Sequence, residues 1–478
     1  MTLQERFVSR LLWNWGAPAV QTVTAIAMLP VITAVLGPAE IGAFAVVMSA
    51  AALIAAVSGM GSTYLLSAHY PTAEPAERRA LVSTMIVVSV AIAALAGLAG
   101  VASWPLLVAS WPAIADIPVT SVALAMAATV ATAPWTIALD TLTLRGQARP
   151  FAAVGALQAV LGAGVTTVGL HVLDLGLTAL FVSTLAVSLL AGMAGLLLLR
   201  RDLAPRISGR WLIECLRVGP IMSGAHILET LHNAIERMML TSTVGLAALG
   251  LYAHSQQYRN YAQIGVKGLA RSVWPVSLDE ARSPQASYAL TNRAWQTMTV
   301  GVTFIGVFCA FIAEDIVRLL THGKFTAAAP YITLWMIYIL VQNTGKPQIA
   351  ALFANQRGVI LGWIGQGAGA FGILLLLLLI PWAGLAGAFA ALFLQQLSLR
   401  VAVHYYAGRV APTPFQDGWA VAGGGLILGA FLVNRLVGES FASRSAVAAV
   451  CLAAVALIGL PVLRDALSFF RARPTANP

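Results

Sequence analysis

The segment Glu229–Arg237, ETLHNAIER, sets two glutamates, a histidine, an asparagine and an arginine among Ala, Leu, Val and Gly. His226, Glu229, Asn233 and Glu236 recur at i, i+3, i+7 and i+10, close to one face of a helix. A second stripe follows in GLYAHSQQYRNYAQIGVKGLAR: Gln256, Arg259, Asn260, Gln263 and Lys267. Arginine offers a planar fork of donors that matches phosphate, and lysine offers a point charge. Amides beside them can bind phosphate oxygens or hydroxyl groups. Arg237 extends the cation set, as does Lys346 in QNTGKPQ, where Pro347 can break a helix. Lys346 reads either as a cavity cation or as a lysine snorkelling to an interface. Glu229, Glu236 and His232 are titratable and can carry protons. They can equally balance Arg237 and Arg259, or pair locally as His232 and Glu236 do at four-residue spacing.

What positions these residues follows from composition. Of 478 residues, 59% are hydrophobic and 10% charged, with a mean hydropathy of +0.84. A soluble domain carries about 25% charged residues, so the chain reads as an all-α polytopic membrane protein. A spanning helix needs about 20 mostly apolar residues. Fourteen such segments are expected: 11–36, 41–66, 80–104, 117–140, 151–173, 176–199, 212–241, 247–271, 295–319, 328–353, 359–381, 384–407, 418–437 and 445–463. The net charge of +10 is no nucleic-acid footprint, because the basic residues sit in short loops. Loops on the side of the N-terminus hold 18 of them, whereas the opposite loops hold Arg318, Lys324, Arg435 and Arg444. That bias places both termini in the cytoplasm. Cys215, Cys309 and Cys451 form no CxxC and no cluster with histidine, so neither a metal site nor a disulfide framework is indicated. No phosphate-binding loop for ATP is present, and no cofactor is expected. Trp104, Trp111, Trp274, Trp335, Trp382 and Trp419 fall near span ends and are expected mostly to form an interfacial belt. Asp140, near the end of the fourth span, is expected at the interface, paired with Arg145.

The chain repeats itself. LGPAEIGAFAVV (36–47) recurs as VGLAALGLYAHS (244–255), an offset of 208 residues. The same offset pairs Arg149 with Arg357, Gln158 with Gln366, Gly176 with Gly384 and Arg201 with Arg409. Each copy holds six spans, an even number, so the copies are parallel repeats that enclose a path opened alternately to either side. The expected organisation is a six-helix bundle over 1–205, a second over 206–413, and two further helices with a tail over 414–478. In this register ETLHNAIER occupies the slot of QTVTAIAML, inside the first span of its copy rather than in a loop. A charge at mid-membrane costs roughly 2.5–3.5 kcal/mol unless protein or water shelters it. Glu229 and Arg259 each lie about 15 residues from a turn near Val244 and Gly245, so they are expected at similar depth and close in space.

Trp13-Asn14, LGPAEIGAFAVVMS, and the arrangement of six, six and two spans resemble the oligosaccharide flippases. These belong to one superfamily with lipid II flippases and multidrug extruders. The resemblance covers the whole chain. It implies a transporter, not an enzyme, of the inner cell membrane. It also implies a polyprenyl-pyrophosphate-linked oligosaccharide as substrate, moved from the cytoplasmic to the outer leaflet for O-antigen or exopolysaccharide assembly. Membrane lipids, a polysaccharide polymerase and other assembly proteins are the implied partners. Fourteen spans rather than twelve favour the flippase branch over a drug/proton or sodium antiporter, whose cavity would be dominated by carboxylates. A membrane glycosyltransferase or ligase fits less well, because its acids would have to come from short outer loops. A non-transporting assembly scaffold would have no use for cations on a stripe.

Overall fold

The computed structural model describes residues 3–59, 61–145, 147–204, 207–282, 288–355, 357–410, 418–437 and 441–471. The side chains of Trp13 and Asn14, and the expected boundaries at 205/206 and 413/414, lie outside the described residues. Helices α1 (Leu3–Val35), α2 (Pro38–Ser58), α3 (Ser62–His69), α4 (Pro75–Ser110), α5 (Val119–Leu144), α6 (Ala148–His171) and α7 (Thr178–Leu199) come first. They are followed by α8 (Gly209–Arg282), α9 (Ala289–Leu320), α10 (Ala329–Asn343), α11 (Lys346–Ala354), α12 (Gly358–Val410), α13 (Gly418–Leu436) and α14 (Phe441–Arg471). Among the described residues, ten helical stretches are long and apolar enough to cross a membrane. Two of them, of 42 and 52 residues, are far too long for one crossing. At 1.5 Å per residue they would reach about 60 and 80 Å, against a hydrocarbon core of about 30 Å. Each is broken at a glycine in a non-helical conformation, Gly245 (φ 84°, ψ 170°) in α8 and Gly384 (φ 56°, ψ −128°) in α12. Twelve of the fourteen expected spans fall on a single helix to within about two residues, while 41–66 is divided between α2 and α3 and 328–353 between α10 and α11; the protein is an all-α multi-pass membrane protein.

Two compact units emerge. The first comprises residues 1–253 and 372–388. Within it α5 packs on α4 and α7, α6 on α1 and α7, and α2 on α4 and α5. At one end of these helices Leu65, Leu66, Leu81, Met85, Trp135, Leu199 and Trp211 form a buried cluster. A polar clamp closes it. Arg145 pairs with Asp202 and donates to the Tyr70 hydroxyl at 2.7 Å, while Arg78 lies 5.2 Å from the Tyr70 ring. Asp140 is therefore not the partner of Arg145, as its spacing suggested. It accepts from Thr63 at 2.7 Å, because the break between α2 and α3 delivers a hydroxyl to it.

The repeat is visible in the backbone. Gly176 and Gly384, 208 positions apart, both take positive φ (52° and 56°) ahead of a helix, a conformation that favours glycine. The LGPAE motif is a helix start: Pro38 stands at the first helical position, and Gly37 N–H donates to the Glu40 carboxylate at 2.6 Å. The two motif copies pack reciprocally. A Cβ on Gly42 would lie 2.0 Å from the Leu246 carbonyl oxygen, and one on Gly250 would lie 1.7 Å from that of Pro38. Gly42 and Gly250 are repeat partners, as are Pro38 and Leu246. The contact thus has its own two-fold logic, built on backbone approach that only glycine permits.

The second unit comprises residues 254–371 and 389–478. Helix α9 is its hub, with α10, α13 and α14 packed on it. Small residues set these crossings: Gly306 of α9 faces Ile427, while Gly423 and Gly459 face Thr303 and Val300 of α9. The two helices beyond the repeat are thus joined to α9.

Gly250→Ala is expected to destabilise the purified protein by about 1–3 kcal/mol through overpacking, seen as a lowered thermal unfolding midpoint. Gly362→Ala, where an added Cβ meets nothing within 4 Å, serves as the control and should be neutral or slightly stabilising.

Candidate functional site

Helix α10 organises the polar residues of the second unit. Trp335, Tyr338 and Gln342 follow i, i+3 and i+7, a single helical face. The Arg259 guanidinium, from the second arm of α8, lies 4.3 Å from the Trp335 ring centroid and 5.8 Å from that of Tyr338. Trp335 is held rigidly: it is fully buried, its indole N–H donates to Ser255 Oγ at 3.0 Å, and Phe389 packs 4.9 Å from it. One turn further along, Gln263 donates to the Gln342 side chain. Gln396 of α12 donates to the Tyr338 hydroxyl at 3.2 Å.

Next comes a break. Gly345 (φ 71°) caps α11, and Pro347 stands in its first turn, so α10 cannot run on into α11. The last carbonyls of α10 then lack helical partners. Thr344 Oγ1 donates to that of Val341 at 2.8 Å, and Arg400 of α12 donates to that of Gln342. A cation there also suits the negative end of the helix dipole. Past the break, Lys346 Nζ lies 5.1 Å from the Trp295 ring. Arg259, Arg400 and Lys346 therefore form a row along α10 and its extension, with Gln263, Gln342, Tyr338 and Gln396 between them. Within this unit, and among the described residues, no carboxylate pairs with Arg259 or Lys346. The Arg259 Nε–H is buried without a partner. Cation–π contact contributes about 0.5–2 kcal/mol per pair but leaves the charge in place.

The other residues of the two stripes are placed as follows. Gln256 is buried in the second unit, whereas Asn260 and Lys267 are exposed. Asn260 touches Arg259 through Oδ1 at 3.5 Å. In the first unit, Arg237 donates to the Ala45 carbonyl of α2 at 2.7 Å. Glu236 is buried and accepts from the Tyr252 hydroxyl across the Gly245 turn, which shows that the two arms of α8 fold back antiparallel there. His232 is buried with neither ring nitrogen bonded, so the local pair with Glu236 does not form. Glu229 is exposed in the first arm of α8.

Sequence reasoning missed Tyr338, Gln342, Gln396 and Arg400 of the row, and the platform Trp335. Trp335 was assigned to the interfacial belt from its position near a span end, but it is the buried platform under Arg259. Arg400 lies in an otherwise apolar span. It had a signal nonetheless. Assigning 22 of the 28 basic residues to loops leaves six inside spans, and Arg400 is one of those six.

Residues 31–330 match the family described as polysaccharide biosynthesis protein. The chain belongs to that family. No curated protein matches it. Among solved structures, this polysaccharide biosynthesis protein is similar to the lipid II flippase MurJ in an inward closed conformation. Identity is 12%, 96% of this chain and 99% of that one are covered, and the TM-score is 0.69. An inward-facing multidrug resistance MATE family transporter aligns at 13% identity over 88% of this chain and 99% of that one, with a TM-score of 0.63. A transporter of the MOP superfamily from Pyrococcus furiosus, described as having a binding pocket of reverse polarity, aligns at 11% identity. It covers 85% of this chain and 96% of that one, with a TM-score of 0.57. At such identities the likeness is one of fold.

Trp335→Ala should cost about 3–5 kcal/mol of stability, as for other large buried aromatics. Trp335→Phe should cost about 1–3 kcal/mol, because Ser255 loses a buried donor. Thermal unfolding of the purified variants checks both.

Proposed function

We propose that this protein flips a polyprenyl-pyrophosphate-linked oligosaccharide from the cytoplasmic to the outer leaflet by alternating access, supplying surface polysaccharide assembly. The carrying observation is the row Arg259, Arg400 and Lys346 along α10, in which, among the described residues, no carboxylate of the same unit pairs with Arg259 or Lys346. Membership of a polysaccharide biosynthesis family and a fold shared with a lipid II flippase support the reading. In this scheme both termini face the cytoplasm of an inner cell membrane, and the two parallel repeats supply the moving halves.

The roles follow from chemistry. Arg259, braced on Trp335, takes phosphate oxygens in its planar fork, and Lys346 adds a point charge. Arg400 contributes field while holding the end of α10. Gln263, Gln256 and Asn260 meet phosphate or sugar hydroxyls, and Lys267 and Arg237 draw the anion toward the site. Glu229, Glu236 and His232 are the groups available for ion coupling. A drug antiporter is disfavoured because a cationic drug would meet a cationic row. An enzyme is disfavoured because the row offers no general acid or base beside an attacking group.

Losing a charge-assisted contact to phosphate removes about 1.5–3 kcal/mol, so Arg259→Ala should slow flipping roughly ten- to a hundredfold, at 1.4 kcal/mol per tenfold. Arg259→Lys should fall between that variant and the parent. The assay is translocation of a lipid-linked oligosaccharide in proteoliposomes carrying equal amounts of inserted protein. Undiminished flipping by Arg259→Ala would overturn the reading. Under an imposed pH gradient, Glu229→Gln should lose the acceleration shown by the parent; an unchanged response would remove Glu229 from coupling.

A further inference from the structure

The ends of four helices of the second unit enclose a cavity of about 370 Å³ away from the α10 row. Glu314 comes from α9, Ala329, Pro330 and Thr333 from the start of α10, Phe431, Asn434 and Arg435 from α13, and Arg444 from α14; Asp315, next to Glu314 on α9, adjoins the lining through its pair with Arg444. Its floor is apolar, with Ala310 and Phe311.

Arg444 is the central group, and its side chain is only 9% exposed. Its Nη2 lies 2.9 Å from Asp315 Oδ1, and its Nη1 lies 3.8 Å from Glu314 Oε2. Glu314 Oε1 also holds Arg318 at 2.7 Å. An arginine that served only to tie α14 to α9 would be expected to meet its carboxylate with both ends of the fork. Here the pairing is one-ended. Arg444 Nε, Asp315 Oδ2 and Asn434 Oδ1 are all buried without a hydrogen-bond partner. A buried polar atom left unpaired costs about 1–3 kcal/mol, so two in the lining and a third on the Asp315 carboxylate held by Arg444 call for a ligand that has both donors and an acceptor. Arg435, 5.2 Å from the Phe431 ring, adds a second cation at the rim.

The surroundings choose among ligands. On α13 and α9 the neighbouring Leu432, Val433, Leu436 and Leu319 are exposed, as befits helix faces that meet acyl chains. A free sugar could satisfy the polar atoms but has nothing to lay on those leucines. A lipid has both parts. We propose that this cavity binds the headgroup of a zwitterionic phospholipid with a primary ammonium. The ammonium donates to Asp315 and Asn434, the phosphodiester accepts from Arg444 and Arg435, and the chains run along the exposed face of α13. Occupancy would join the two helices outside the repeat to the hub helix α9.

The test uses the full chain, purified and exchanged into nanodiscs of phosphatidylethanolamine, phosphatidylcholine and phosphatidylglycerol in equal proportion. Native mass spectrometry then reads the lipid retained. Phosphatidylethanolamine should be enriched at least fivefold over phosphatidylcholine, whose ammonium has no N–H, and over phosphatidylglycerol, which has no cation. Asp315→Asn and Asn434→Leu should each bring that enrichment below twofold, with thermal unfolding used to confirm that the variants are folded. If Asp315→Asn does not fold, Asn434→Leu alone decides. Equal retention of the three lipids by the parent protein would overturn the proposal. So would an enrichment unchanged in the folded variants.

Discussion

A polar group carried into a membrane span has to be satisfied by the protein itself or by water in a cavity, since the hydrocarbon offers nothing. That constraint shapes nearly every polar contact inside the helices. Asp140 takes a hydroxyl from Thr63, Glu236 takes one from Tyr252, and Arg237 reaches the backbone carbonyl of Ala45. Each of these arrangements offsets its own cost locally. Arg259 and Lys346 differ. They rest on Trp335 and Trp295, whose π faces attract a cation without neutralising it. Among the described residues of this unit no carboxylate pairs with either cation, which is why the functional reading centres on the α10 row.

The repeat makes that retention legible as a departure from symmetry. Subtracting 208 from Arg259, Lys346 and Arg400 gives Ala51, Ala138 and Gly192. At Gly192 of α7 the first copy uses smallness: an added Cβ would lie 2.1 Å from the Ala131 carbonyl oxygen, so the helix backbone sits hard against α5. At the corresponding place Arg400 instead donates to the carbonyl of Gln342, the counterpart of Pro134. Helix α5 runs through Pro134 unbroken, whereas its counterpart is cut into α10 and α11 at Thr344 and Gly345. One copy places Gly and Ala at these positions. The other places charge there.

The glycine pair Gly42 and Gly250 shows how such different copies still keep a common frame. Each sits on the backbone of the residue equivalent to the other's helix start. Backbone contact is indifferent to side-chain chemistry, so the motif copies stay docked while the faces beyond them diverge. Gly176 and Gly384 preserve the turn geometry in the same way.

Hydropathy and periodicity were enough to read the all-α membrane fold class, most of the helical spans and the helical register of ETLHNAIER, because a bilayer imposes length and apolarity on each span independently of its neighbours. The charge stripe of the second arm of α8 was legible for the same reason: cost per residue is a local quantity. Partnership is not local. Trp335 looked interfacial because its position along the helix was known and its azimuth was not. Arg400 drew no reading from its apolar run, because its partner is a carbonyl freed by the break after Asn343. Asp140 found Thr63 rather than Arg145 because the interruption between α2 and α3 turned a hydroxyl inward. Sequence alone determined which residues must cross the membrane and which of them are costly there. Only packing decided which costs are offset and where the remaining charge collects, since that depends on the rotation and breaks of helices far apart in the chain.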